Sequence, residues 1–252
     1  MLKHLYLITF ILFSLVSCKN AEELNVESIV NNSIIETGTF HFANANVKFN
    51  FRDITYTSNG KCGGFELKRE FTQDSSLIED YFDQHQLNRK INQQPVKLSD
   101  SLANVYAESI NSVFYFVQLP YRLNDDAVQK ELLGNETIND VEYHKIKVTF
   151  QEDGGGQDFE DVYIYWINTS TFQIDYLAYS FLVNGGGMRF REAYNPREIN
   201  SIQFVDYRNY QPKNKEVSLY DMAKLFENGE LELLSTIEKS SIQVDLKEND
   251  CF

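Results

Sequence analysis

Val162-Tyr163-Ile164-Tyr165-Trp166-Ile167 turns through Asn168-Thr169-Ser170-Thr171 and returns as Phe172-Gln173-Ile174-Asp175-Tyr176-Leu177-Ala178-Tyr179-Ser180-Phe181. Side chains alternate across a strand, so Tyr163, Tyr165 and Ile167 share one face of this hairpin while Ile164 and Trp166 share the other. Both faces are apolar or aromatic. A strand of that kind must be covered on both sides, by helices, a second layer or a ligand.

The same period of two extends outward from the hairpin. Val141 to Phe150 reads as a strand with His144, Ile146, Val148 and Phe150 on one side. Met188 to Tyr194 and Ile202 to Tyr210 follow, and Glu230 to Leu246 supplies one or two more strands after the Asn228-Gly229 stop. Nearer the start, Val47, Phe49 and Phe51 alternate with Lys48, Asn50 and Arg52, and Phe65-Glu66-Leu67-Lys68 repeats the pattern after a glycine turn, as two half-buried strands of a hairpin.

Helical periods are fewer. Glu22 to Ile35 and Ser101 to Val117 carry apolar residues at mostly helical steps, and Asp125 to Leu133 ends at Gly134, a residue suited to a helix C-cap. Ser218, with Asp221 three residues on, reads as the capping box of a short helix ending at Asn228. Strict strand–helix alternation is absent. The expectation is therefore a mainly β (α+β) fold, a single curved antiparallel sheet or half-barrel covered by the helices near 101–117 and 125–133, in one domain.

Composition sets the class. Of 252 residues 42% are hydrophobic and 14% aromatic, enough for a sizeable core. Lys plus Arg number 23 against 37 Asp plus Glu, a formal charge of −14, so the long-range field repels a phosphate backbone and nucleic acid is not expected as a partner.

The first seventeen residues read as an address. Leu5 to Val16 is an apolar run of twelve, short of the roughly 20 residues that cross a bilayer as a helix, and it ends Leu15-Val16-Ser17-Cys18. The alternative is a signal peptide cut near Ser17 with Cys18 an ordinary thiol. Cys62 and Cys251 then form an even pair in an oxidising compartment, open either to a disulfide or to two free thiols.

Chemical motifs are sparse. The triple glycines 154–156 and 185–187 lack the ending and context of a phosphate loop and suit hairpin ends. Glu152, Asp153, Asp158, Glu160 and Asp161 offer hard oxygens, but without EF-hand spacing a solvated acidic turn is the preferred reading over calcium. No Gly-x-Ser-x-Gly, His-Glu-x-x-His or supported Cys-His pairing occurs, so the chain is read as non-catalytic, with no metal centre and no cofactor. Arg189 and Arg191 lie two apart and point to one side of a strand, where they would hold an anionic head group or, alternatively, pair with an acid such as Asp175. The aromatic set Tyr115, Phe116, Tyr163, Tyr165, Trp166, Tyr176, Tyr179 and Phe181 is either core or the lining of a pocket for an acyl chain. Such a pocket is expected between the 101–117 helix and the concave face of the 162–181 hairpin, with Val113 and Val117 covering one set of strand residues and a lipid the other.

Two resemblances add to this. Leu15-Val16-Ser17-Cys18 resembles the lipobox of bacterial lipoproteins, which implies residues 1–17 as a signal peptide, Cys18 as the lipidated mature N-terminus, and 18–35 as tether and first helix ahead of a 36–252 domain. Lys19 is not the Asp that resembles an inner-membrane retention signal, so the resemblance implies the outer membrane as destination. Tyr165-Trp166-Ile167-Asn168, Arg191-Glu192-Ala193-Tyr194-Asn195 and Ile199-Asn200-Ser201-Ile202 resemble the LolA/LolB-like lipoprotein-sorting superfamily, whose members wrap an incomplete antiparallel barrel around helices. Over residues 45–240 the chain is similar to a family of Bacteroidota lipoproteins, through segments such as Asn111-Ser112-Val113-Phe114-Tyr115-Phe116 and Asp175-Tyr176-Leu177-Ala178-Tyr179-Ser180. That family has no established activity. The resemblance implies a membrane-anchored protein holding a lipid or other apolar small molecule, or a protein-interaction module filled by its own helices.

Overall fold

A computed structural model describes residues 25–61, 64–83, 85–154, 159–182 and 185–248. The expectations that fall on the signal peptide, Cys18, Cys62, Cys251 and the segment 155–158 lie outside the described residues.

The chain begins with helix α1 (Val26–Glu36), then strands β1 (Ala45–Phe51), β2 (Ile54–Lys61), β3 (Gly64–Gln73), β4 (Ser76–Phe82), β5 (Leu87–Ile91) and β6 (Gln94–Val96). Helix α2 (Asp100–Val117) crosses to β7 (Val128–Ile138), β8 (Val141–Phe150), β9 (Val162–Asn168), β10 (Ile174–Phe181), β11 (Gly187–Ile199) and β12 (Ile202–Pro212). Helix α3 (Met222–Glu227), β13 (Leu231–Ile237) and β14 (Lys239–Leu246) complete it. The strands form two seven-stranded antiparallel sheets, ordered β14-β1-β2-β3-β4-β5-β6 and β13-β12-β11-β10-β9-β8-β7. Only Glu238 separates β13 from β14, so the chain passes directly from one sheet to the other. The expected curved antiparallel half-barrel is thus built from two sheets that meet at this step.

Local chemistry sets the turns. Asp74-Ser75, Asn92-Gln93, Asn139-Asp140 and Asn200-Ser201 each place two successive residues at positive φ between paired strands, the backbone of a two-residue hairpin that Asn and Asp tolerate well. At the β9–β10 turn Asn168 Oδ1 accepts from the N–H groups of Ser170 and Thr171 at 2.9 and 3.1 Å. Gly38, with φ 65°, lets the end of α1 abut the β11–β12 turn, where a Cβ would lie 1.8 Å from the Ser201 carbonyl oxygen.

Helix α2 runs inside the half-barrel and serves both sheets. Ala107, Ile110 and Phe114 bury against Val47, Phe49, Tyr56 and Leu67 of the first sheet. Tyr115 and Leu119 bury instead against Ile146, Tyr163, Tyr165 and Leu177 of the second, together with Ile29, Val30 and Ile34 of α1. Ser99 caps α2, accepting from the Leu102 N–H.

Three expectations are corrected. Residues 125–133 do not form a helix: 128–138 is strand β7, and Gly134, with φ 103°, sits where the pairing with β8 shifts register between Leu132 and Asn135. The ladder offered by β8 outweighs a helical propensity of a few tenths of a kcal/mol per residue. The strands at 47–51 and 65–68 are not paired, because β2 lies between them and pairs with both. Val113 and Val117 belong to the cluster around the first sheet, and Val117 meets the 162–181 hairpin only across a cleft that it shares with Ile174. Of the capping box expected at Ser218 only half is present: Ser218 Oγ accepts from Tyr220 N and caps a 3-10 turn at Leu219–Asp221, after which α3 follows without a side-chain cap and ends against Asn228.

Candidate functional site

The alternation in the 162–181 hairpin separates the aromatic set into two groups on opposite faces. Tyr163, Tyr165, Ile167 and Leu177 lie on the concave face with Tyr115, while Ile164, Trp166, Tyr176 and Ala178 lie on the convex face with Phe190. The convex group is covered by protein: α3 lays Met222 and Ala223 over it, and the Phe226 ring stacks on Phe190 at 4.9 Å. A lipid is not needed to cover it, which corrects that expectation. Trp166 is fully buried there, its Nε1 donating to Glu136 at 2.6 Å. Trp166 and Tyr176 therefore do not join the other candidates.

On the concave face the residues do converge. The hydroxyls of Tyr115 and Tyr165 bond at 2.7 Å, and Tyr163 stacks between Tyr165 at 6.1 Å and Tyr179 at 5.2 Å. Phe116 closes the group, 5.6 Å from Tyr179. Burial raises the phenol pKa of Tyr115, Tyr163 and Tyr165, and pushes that of Tyr207 up to about 12.

Arg191 stands at the edge of this aromatic layer, 8% exposed. Its guanidinium lies 3.7 Å from the Phe116 ring centroid, with Tyr179 and Tyr207 rings at 5.3 and 5.8 Å, and one N–H donates to the Tyr179 hydroxyl at 3.0 Å. The expected pairing with Asp175 is not made, because Asp175 accepts from Tyr143 and Asn168 on the other side of the hairpin. Arg189 is partly buried over the Phe181 ring at 5.0 Å, nearer the end of the sheet, so the two arginines do not form one fork.

Behind Arg191 lies a buried charge cluster that the sequence analysis did not single out. Asp206 accepts from both Arg197 NH groups, at 2.9 and 3.0 Å, from Asn195 at 2.7 Å and from the Lys239 N–H at 3.0 Å. Burial alone would raise the Asp206 carboxyl, but these partners outweigh it and hold it below the usual carboxylate range. Lys239 Nζ is 3.6 Å from Asp206, and burial brings its pKa down to about 8 despite that carboxylate. No local pattern signals the cluster, because Asn195 and Arg197 come from β11, Asp206 from β12 and Lys239 from β14, and they meet only in the fold.

Between the end of α2 and the sheet is a cleft whose walls include Phe116, Val117, Leu119, Ala193, Val205 and Tyr207. Its enclosed volume is about 60 Å³, well under the roughly 300 Å³ at which small-molecule pockets begin. The space expected for an acyl chain between α2 and the hairpin is thus filled in this conformation by Tyr115, Phe116 and Tyr163. Among the described residues no group of three or more His, Cys, Asp or Glu is placed to hold a metal ion, and no helix is long and apolar enough to cross a membrane.

Solved structures place the architecture. A LolA superfamily protein from Nitrosomonas europaea is 15% identical, with 89% of this chain and 94% of that chain covered at a TM-score of 0.51. The two share this fold. A DUF1329 family protein from Desulfovibrio piger is 10% identical over 89% of this chain and 95% of its own, TM-score 0.42. The lipoprotein LppX of Mycobacterium tuberculosis is 10% identical over 64% of this chain and 91% of its own, TM-score 0.28. No curated protein matches the chain. A family model described as a family of unknown function, DUF6503, matches residues 3–239, and the protein belongs to that family.

Proposed function

We propose that the protein is a non-catalytic lipoprotein of the cell envelope that binds a lipid or other apolar ligand at the cleft between the end of α2 and the concave face of the second sheet. The observation that carries this reading is the cleft itself, to which both helix and sheet contribute apolar walls, with Thr37, Gln173, Asp175 and Gln203 as its polar ones. Its small enclosed volume requires Phe116, a partly buried residue near the end of α2, to swing aside when a chain enters.

The packed interior favours a second reading, an interaction module whose half-barrel is filled by its own helices. Displacement of a fluorescent fatty acid separates the two. Saturable binding by the parent, weakened several-fold in Phe116→Trp with its fold intact by circular dichroism, is the expected result. A well-folded parent without saturable binding leaves the interaction module.

In the same proposal residues 1–17 are a signal peptide and Cys18 carries the lipid anchor at the outer membrane, ahead of a tether and first helix to residue 35 and a single half-barrel domain over 36–252. Several acyl chains at ~0.8 kcal/mol per buried methylene hold a protein stably on a bilayer. Cys18→Ala should move the protein from the membrane pellet to the soluble periplasmic fraction, and retention in the pellet as tight as the parent's would sink the assignment.

A further inference from the structure

We infer that Arg191 and Asn209 form a receptor for the carboxylate of a fatty acid, at the inner side of the apolar cleft. The inference rests on the lipid-binding reading and specifies its head group.

Arg191 is more than nine-tenths buried, yet its Nε has no hydrogen-bond partner among the described residues. Native interiors seldom leave such a donor unmet, and a buried guanidinium without an anion is costlier still. Directly across the β11–β12 ladder, Arg191 pairs in register with Asn209, whose buried Oδ1 is also without a partner. Residues directly opposite in a ladder project to the same face, and Leu177, the partner of Arg191 on β10, fixes that face as the concave one. Two unmet polar atoms on adjacent strands thus share the inner surface of the half-barrel.

The local charge calls for an anion. Although the chain carries 37 acids, Arg191 makes no ion pair with a carboxylate among the described residues. Asp206, the buried acid of the neighbouring cluster, is already engaged by Arg197 and Lys239. Arg191, Arg197 and Lys239 outnumber Asp206 in this cluster, while Asp175 on the cleft wall and the buried Asp161 near Tyr163 are the other acids of the region. The Lys239 ammonium registers the two arginines: Arg191 and Arg197 both act to lower its pKa, alongside the larger effect of burial.

The cleft stops one residue layer short of this point, since its walls include the neighbours of Arg191 and Asn209 but not those two residues themselves. Ala193 and Tyr207, two residues along their strands from Arg191 and Asn209 and on the same face, are part of its wall, and Phe116 both lines the cleft and stacks on the guanidinium. A carboxylate oxygen entering past Phe116 would accept from Arg191 Nε, a charge-assisted bond. The alkyl chain would follow the apolar wall outward. Asn209 presents its amide to the second oxygen if its Nδ2, now 3.4 Å from Ser235 Oγ, rotates inward.

The test compares dodecanoate with dodecanol, equal in chain length and differing in charge, as competitors of a fluorescent fatty acid. In the parent, dodecanoate should compete at least about tenfold better, the scale of one charge-assisted hydrogen bond. Arg191→Gln should abolish the difference by weakening dodecanoate alone, and Arg191→Lys should restore part of it. Equal competition by acid and alcohol in the parent overturns the carboxylate receptor and leaves apolar binding standing. A preference that survives in Arg191→Gln overturns the role of Arg191. Acetate competing as well as dodecanoate assigns the guanidinium to a free small carboxylate and removes the lipid. Failure of the parent to bind either long-chain compound removes both readings together. Because the head-group comparison in the parent needs no substitution, an unfolded Arg191→Gln still leaves a decisive result.

Discussion

Above pH 10 the folded state should lose stability at up to about 5.5 kcal/mol per pH unit. Tyr115, Tyr163, Tyr165 and Tyr207 are buried, and burial raises each phenol above its ordinary value, Tyr207 to about 12. In the unfolded chain all four titrate near pH 10. Between that pH and their folded pKa values the unfolded state holds fewer protons than the folded state, so stability falls as pH rises, by about 1.4 kcal/mol per unit for each group. Lys239 acts in the opposite sense over an earlier window. Its folded pKa of about 8 lies below the unfolded lysine value of about 10.4, so there the unfolded state binds the extra proton and stability rises with pH. A maximum between pH 9 and 10, followed by a steep alkaline limb, is the expected curve of urea-unfolding free energy. Lys239→Met should flatten the rising side, and Tyr163→Phe should reduce the alkaline slope by one proton. Phenolate absorbance amounting to all 15 tyrosines near pH 10, with the far-ultraviolet signal unchanged, would contradict the prediction for these buried four.

Trp166→Ala should cost about 3–5 kcal/mol, the range for deleting a large core side chain. Trp166 is wholly buried between the second sheet and α3, 5.7 Å from Phe190, and its truncation leaves a cavity lined by rings that cannot collapse into it. Glu136, which accepts from the indole, keeps Lys145 at 2.9 Å, so the loss is mainly one of packing. The substitution lies on the convex face, away from the cleft. A folded Trp166→Ala variant should therefore bind a fluorescent fatty acid as the parent does, even though its urea midpoint is much lower. Loss of binding at unchanged stability would place the ligand on the convex face, under α3.

These two experiments address features of different origin. That Tyr163, Tyr165 and Ile167 oppose Ile164 and Trp166 was determined by sequence alone, because the period of two is a property of the extended backbone and needs no knowledge of neighbours. So were the bounds of β8, the run of α2, and the cap at Ser218 that opens the turn leading into α3, each signalled within a few residues by alternation, helical spacing or a cap. The segment 125–133 differs for the opposite reason: its helix formers and Gly134 express a local preference, while the ladder of β8 that turns it into a strand is a distant partner. The same holds for β2 and for β4 to β6, whose mixed polarity reflects exposure on a partly covered sheet and leaves little periodic signal. Which face of the hairpin is concave, that α3 covers the other, and that Phe116 stacks on Arg191 in place of an acid were decided only by the tertiary structure. An acid-rich chain offers Arg191 many partners of favourable charge, and the packing of α2 against β11 selects a ring and leaves the guanidinium Nε unmatched, because geometry over tens of residues, and not composition, determines which groups meet.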